Sequence, residues 1–213
     1  MQDGDGGTQN HIMNADEKIK KYFELLQKWN AKMNLMSVAD EAEFYDKHVA
    51  DVKHILKPLE GCKRIVDLGS GGGVPGILVK IMRPDIELTM VDASRKKVSF
   101  CGEVCRSLNL KDIFVIWGRA EDEGLMRGLG AFDAVISRAT WSLSDYVVIG
   151  ANYIDVGGRC IAMKGSRWAH ELAAAKGRFS GFGLALFSVD EYELRGGEKR
   201  AIVTLKKEAL LQS

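Results

Sequence analysis

Proline is scarce in this 213-residue chain, with three in all, and no stretch is rich in proline or serine. A long linker between independent domains is therefore not expected; one α/β domain with a modest appendage is. Long apolar runs are missing too. No window approaches the roughly 20 uninterrupted apolar residues that a membrane-crossing helix needs, and the N-terminus lacks the basic-then-apolar order of a secretory signal. The expected setting is the cytoplasm, with no membrane partner. The four cysteines, Cys62, Cys101, Cys105 and Cys160, include no pair at the two-residue spacing of zinc ribbons or redox motifs. Cys101 and Cys105 are one helical turn apart, but Val98 and Leu108 extend the same stripe. That pattern is a buried apolar face, and no metal is expected. An excess of one charge is also absent, since the formal net charge is +1. Any binding of nucleic acid must then come from a local patch.

What is present is ordinary globular usage, 46% apolar and 28% charged. Gly4, Gly6 and Gly7 lie among polar neighbours, so residues 1–13 are expected to be flexible. Between Asn14 and Leu35, apolar residues at Ile19, Tyr22, Phe23, Leu26 and Met33 keep helical spacing, and Asn14 with Glu17 suits the helix start. A second helix is expected over Glu41 to Leu56, ending before Pro58. Residues 14–59 thus read as a helical extension, followed by a main domain over 60–207 and a tail over 208–213. In the main domain short apolar runs alternate with helical segments, the signature of a largely parallel sheet. Strands are expected at Arg64–Leu68, Glu87–Val91, Ile113–Trp117, Ala134–Ser137 and Arg159–Met163. Helices are expected near Pro75–Met82, Arg95–Asn109, Leu143–Tyr153 and Trp168–Lys176. Two last runs, Leu184–Val189 and Ala201–Leu205, flank Gly196 and Gly197 and suggest an antiparallel hairpin. Seven strands ending this way match a Rossmann-like class I methyltransferase layout.

The segment from Ile65 to Gly76 carries the most chemistry. A buried strand runs into Gly69-Ser70-Gly71-Gly72-Gly73-Val74 and then into a helix whose first turn is preset by Pro75. Glycines are needed where a cofactor must approach backbone without a Cβ in its way. Asp92, ending the next strand, suits a ribose diol. A dinucleotide fingerprint is a rival, since Gly71, Gly73 and Gly76 satisfy it. The register disfavours it: the glycine tight after the strand is Gly69, which leaves Val74 where the third should be. Asp67, an acid within the apolar strand, is expected to point toward the ligand end. Carboxylates suit the cationic sulfonium and amino group of S-adenosylmethionine and repel a pyrophosphate. After the third strand, Gly118-Arg119-Ala120-Glu121-Asp122 is similar to the loop that holds adenine in this fold, through the Ala120 amide and a nearby side chain; it could equally be a helix cap.

Four places together resemble the ribosomal RNA small subunit methyltransferase G family, also called glucose-inhibited division protein B. They are Trp29-Asn30-Ala31-Lys32-Met33-Asn34-Leu35, His48-Val49-Ala50-Asp51, the turn from Asp67 to Gly76, and Ser137-Arg138-Ala139 followed by Lys164-Gly165. The resemblance spans about Lys18 to Lys206. It implies transfer of a methyl group from S-adenosylmethionine to N7 of a guanine in the decoding-region loop of 16S ribosomal RNA, within the small subunit or its precursor. It also implies cofactor contacts by Gly69, Val74, Ala120, Glu121 and Arg138. Val52 stands where members often carry serine. Lys199 stands where arginine is usual, keeping the charge and losing the bidentate fork.

Guanine N7 exposes an in-plane lone pair, so no general base is required, and rate should come from alignment and exclusion of water. Motifs for other nucleobase chemistries, Asn/Asp-Pro-Pro-aromatic and Pro-Cys, are absent. Arg119, Arg138 and Lys164 follow three successive strands, with Arg167 close behind. They are expected to gather at the carboxyl edge of the sheet, holding RNA phosphates or pairing with Asp67, Asp92, Glu121 or Asp133. Arg138 and Lys164 are the expected positioning residues. Lys199 and Arg200 near the last strand, and Asn34, are further RNA candidates. His48 and Asp51 share a helix face, for a local contact or for shaping the pocket. Trp29 could stack on a base or pack the extension against the sheet. A small-molecule methyltransferase and a nicotinamide-nucleotide-binding protein stay open; the helical extension favours a macromolecular substrate.

Overall fold

The computed structural model describes residues 13–209. Apart from Met13, the expected flexible start lies outside the described residues, as do residues 210–213 of the expected tail. Helix α1 (Ala15–Asn30) begins in a capping box: Glu17 N donates to Asn14 Oδ1 at 3.0 Å, and Asn14 N to Glu17 Oε2 at 2.8 Å. The stripe of Ile19, Tyr22, Phe23 and Leu26 is buried. The helix stops short of Leu35 because the Asn30 side chain turns onto the following backbone. Its Oδ1 accepts from Leu35 N at 2.9 Å and its Nδ2 donates to Met36 O at 2.7 Å, an alternative to further helical bonds. Met33 lies in that turn and packs on the core from there.

The second helix is divided rather than continuous. It comprises α2 (Glu41–Phe44), a π-helical segment (Tyr45–Val49) and α3 (Ala50–Lys53), with turns from His54 onward. Across the π turn and into α3, His48, Val49, Asp51 and Val52 are all buried.

The sheet comprises β1 (Arg64–Leu68), β2 (Glu87–Asp92), β3 (Ile113–Trp117), β4 (Phe132–Arg138), β5 (Ile154–Lys164), β6 (Leu184–Leu194) and β7 (Glu198–Lys207). Its order is β3-β2-β1-β4-β5-β7-β6, parallel through β5, with β7 antiparallel to both neighbours. Helices α4 (Gly76–Met82), α5 (Arg95–Ser107), α7 (Leu143–Gly150) and α8 (Trp168–Ala175) agree with expectation to within a few residues. One more, α6 (Glu123–Leu129), was not among the expected helices, although the cap alternative for Gly118 to Asp122 marks its start. Gly124 and Gly128 lower its propensity, but Asp122 Oδ1 caps it by accepting from Leu125 N at 2.8 Å. Strand β5 begins five residues before the expected Arg159, with its pairing to β4 shifted where Gly157 and Gly158 interrupt the pattern.

Strand alternation gives the sheet two faces. Ile65, Leu88 and Ile136 pack with α1, α4 and α5, while Val66, Leu68 and Val135 pack with α7. The chain reverses direction across the sheet between β1 and β4. The crevice outside the carboxyl ends of those strands is where ligands bind in open α/β sheets.

Candidate active site

The glycine turn leaves β1 at that switch point. Gly69 N and Ser70 N donate to Val91 O at 2.8 and 3.1 Å, and Ser137 Oγ donates to Leu68 O at 3.0 Å, tying β2 and β4 to its start. Tyr22, fully buried on α1, donates its hydroxyl to Gly72 O, so the helical extension supports the turn from behind. The glycines differ in what they are for. A Cβ on Gly76 would lie 2.6 Å from Asp67 Oδ2, so Gly76 is required by packing. On Gly71, at φ +57, the nearest atom would be 3.9 Å away, so Gly71 opens onto free space.

Asp67 does not point toward the ligand end. It sits on the α4 face of β1, is fully buried, and accepts from Gly76 N at 3.0 Å through Oδ2, while Oδ1 has no partner. Burial pushes its carboxyl up to about 8, with Asp92 adding to the rise and the Gly76 N–H opposing it. A folded-state value raised above the unfolded one means that the native protein holds a proton which the unfolded chain has released. That contribution to stability is full below about pH 4 and is lost as pH rises through about 8. Asp67→Asn, isosteric and uncharged, is expected to flatten the fall in thermal midpoint between these limits; an unchanged pH–stability profile would refute the assignment.

Asp92, at the end of β2, accepts from Gly71 N and Ser94 N, both at 2.8 Å. Each carboxylate oxygen keeps a second lone pair, so it can still receive a hydroxyl. Beyond it a cavity of about 540 Å³ is lined by Ala93, Trp117, Gly118, Arg119, Asp122 and Leu125. Ala120 is buried, its carbonyl accepting from Tyr153 Oη at 2.8 Å, and exposed Glu121 accepts from Trp141 Nε1 at 3.2 Å.

A second cavity, of about 550 Å³, lies at the ends of β4 and β5 and is lined by Arg138, Lys164, Arg167, His170, Glu171 and Arg200 among others. Arg138 pairs through Nε with Asp51 Oδ2 at 3.1 Å, with side chains 16% and 2% exposed. Asp51 Oδ1 accepts from Tyr192 Oη at 2.5 Å. His48 is buried nearby with neither ring nitrogen hydrogen-bonded. Burial first, and then the Arg138 charge, lowers it to about 4, so it is neutral at physiological pH. His48 and Asp51 do share the buried side, but Asp51 partners Arg138 and Tyr192 rather than His48.

Two expectations about the basic cluster change. Arg119 does not join Arg138 and Lys164, because succession in the chain is not adjacency in the sheet. With β2 and β1 between β3 and β4, the strand ends stand three spacings, roughly 14 Å, apart. Lys164 is a buried tie rather than a free cation: its Nζ donates to Trp141 O at 2.7 Å and to Glu171 Oε2 at 2.8 Å. Glu171, which also accepts from Leu143 N, was not among the expected partners; Asp133 instead accepts from Lys63 N and Arg64 N at the amino end of β1. Trp29 is half-buried against Phe100 of α5, ring centroids 5.5 Å apart, which is the packing alternative.

Arg167 is exposed at the cavity, and Arg200 is partly buried there, paired with Glu198 at 2.5 Å. Lys199 and Asn34 are exposed away from it. Within the tryptophan-asparagine motif it is Asn30 that organises the loop near Gly72, a role signalled only by its place as the last helical residue. Tyr192 and Glu171 carried no local signal, since their partners are distant in sequence or on the next element.

The sheet order, the terminal hairpin and a glycine turn at the switch point define the class I methyltransferase fold. Solved structures agree. An O-methyltransferase from Bacillus cereus in complex with SAH aligns with TM-score 0.63 at 15% identity, over 88% of this chain and 91% of that one. Aeropyrum pernix fibrillarin with bound S-adenosyl-L-methionine aligns with TM-score 0.56 at 17% identity, over 74% and 73%. The family model described as rRNA small subunit methyltransferase G matches residues 15–198. Proteins named ribosomal RNA small subunit methyltransferase G from Geobacter sp. (strain M21) and Clostridium novyi (strain NT) are 36% and 34% identical. The alignments cover 89% and 88% of this chain, and 87% and 79% of those proteins. The chain belongs to the rRNA small subunit methyltransferase G family.

Proposed function

We propose that this protein transfers the methyl group of S-adenosylmethionine to N7 of a guanine in the decoding-region loop of 16S ribosomal RNA, in the cytoplasm, on the small subunit or its precursor. Residues 60–207 form the transferase unit, and residues 14–59 brace it and face the RNA. The observation that carries the reading is the pairing of an open glycine turn with a tethered arginine at one switch point, in a chain of this family. The residues suit the donor. Gly71 leaves room for it, Gly69, Gly73 and Val74 complete the cradle, and Asp92 has acceptor capacity for a ribose. Ala120 and Glu121 border the adenine side. Bound there, S-adenosylmethionine supplies a methyl group activated by positive sulfur. Asp67 acts beneath the turn, by fixing the start of α4.

The acceptor side is the cavity at Arg138. Guanine N7 needs no proton removed before it attacks, and no base is asked of the site. Arg138 stays charged at neutral pH and can only donate, which suits it to orient the cofactor or the target base. Arg167 and Arg200 add charge for phosphates. Incubation with labelled S-adenosylmethionine and small subunits from cells lacking the family enzyme is expected to yield labelled 7-methylguanosine in 16S ribosomal RNA. Label in another nucleoside, or in small molecules alone, would overturn the reading.

A further inference from the structure

We infer that Tyr192, on the C-terminal hairpin, is a positioning residue for the reaction, acting through Asp51 to present the guanidinium of Arg138 to the cavity. The inference rests on the role proposed above for Arg138. Asp51 divides its carboxylate between two partners: Oδ1 takes the Tyr192 hydroxyl at 2.5 Å and Oδ2 faces Arg138 Nε at 3.1 Å. The contact between Arg138 and Asp51 is thus through Nε. Among the described residues neither Nη makes a hydrogen bond, and the residue lines the cavity.

The arrangement depends on the hydroxyl. Without it, Oδ1 is left without a donor at a residue 2% exposed, and a buried carboxylate oxygen does not stay unpaired when a donor is in reach. The guanidinium is that donor, because its fork matches a carboxylate with two parallel bonds. Arg138 would then turn to engage Asp51 with an Nη as well, and that nitrogen would be withdrawn from the cavity. Tyr192 is itself fixed from two sides. Its ring stacks on His54, with centroids 3.8 Å apart and 14° between planes, and its backbone pairs in register with Arg200 of β7. Three parts of the chain thus meet at Asp51: α3, the end of β4, and the hairpin.

Tyr192→Phe keeps the ring and its stack and removes only the hydroxyl. Single-turnover methyl transfer to small subunits, at saturating S-adenosylmethionine and corrected for folded protein, is measured for the wild type, Tyr192→Phe, Arg138→Ala and the double variant. Tyr192→Phe is expected to lower the rate about tenfold, as loss of one charge-assisted hydrogen bond would, and to add no loss in the Arg138→Ala background. A merely structural hydroxyl would lower the melting temperature and leave the rate per folded molecule alone. A wild-type rate in Tyr192→Phe, or an equal loss in both backgrounds, overturns the inference while the reading of Arg138 stands. A wild-type rate in Arg138→Ala overturns both. If Tyr192→Phe does not fold, Asp51→Asn tests the same link, with the same non-additivity expected.

Discussion

Replacing Arg138 with alanine should lower single-turnover methyl transfer by about 100-fold to 1,000-fold, the range seen when one preorganised donor is removed from a reacting centre. The variant should also melt earlier. Asp51, 2% exposed, loses its counter-ion, and breaking a buried pair from one side costs about 3–5 kcal/mol. The two effects separate when thermal midpoint and rate per folded molecule are measured together. Arg138→Lys should recover part of the stability, because a charge again faces Asp51. It should recover little rate, because a single ammonium cannot pair with Asp51 and also present planar donors to the cavity. A variant that melts earlier yet turns over normally once folded would mean that Arg138 serves the fold alone.

The second large effect is expected at Gly71. Leucine there should abolish binding of S-adenosylmethionine in calorimetry while the fold survives, since the side chain would grow into the space left open beside the turn. The cost to stability is the strain of a left-handed residue at φ +57, about 1–2 kcal/mol. Gly76→Ala should show the reverse balance. Its methyl would meet Asp67 Oδ2, so the thermal midpoint should fall sharply whatever happens to affinity. Undiminished affinity in folded Gly71→Leu protein would remove the turn from the donor site.

The strands and the glycine turn were legible because their signals are local: apolar runs of the right length, a glycine cluster, an acid at a strand end. What escaped the sequence depends on sheet order. Arg119 and Arg138 follow β3 and β4, neighbours in the chain, but the reversal at β1 sets them on different cavities. Lys164 read as a cation beside the ligand until its partner on α8 was known, and the acidic character of Glu171 says nothing of where its helix docks. Asp67 was correctly singled out as an unusual acid, but its direction followed from strand parity, which turned it under Gly76. The π turn at Tyr45–Val49 left no mark in the pattern, and it accompanies the burial of His48 and Asp51.

The hydrogen bond from Tyr192 to Asp51 joins residues 141 positions apart, with Arg138 between them in sequence. A chain emerging from the ribosome therefore releases β1 and β2 long before it can complete the arginine's tether. Closing so long a loop costs more chain entropy than the local helices or the β1–β2 pairing do. A nascent or C-terminally clipped chain that ends before Tyr192 lacks the hydroxyl that ties Asp51, and with it β7, the strand between β5 and β6.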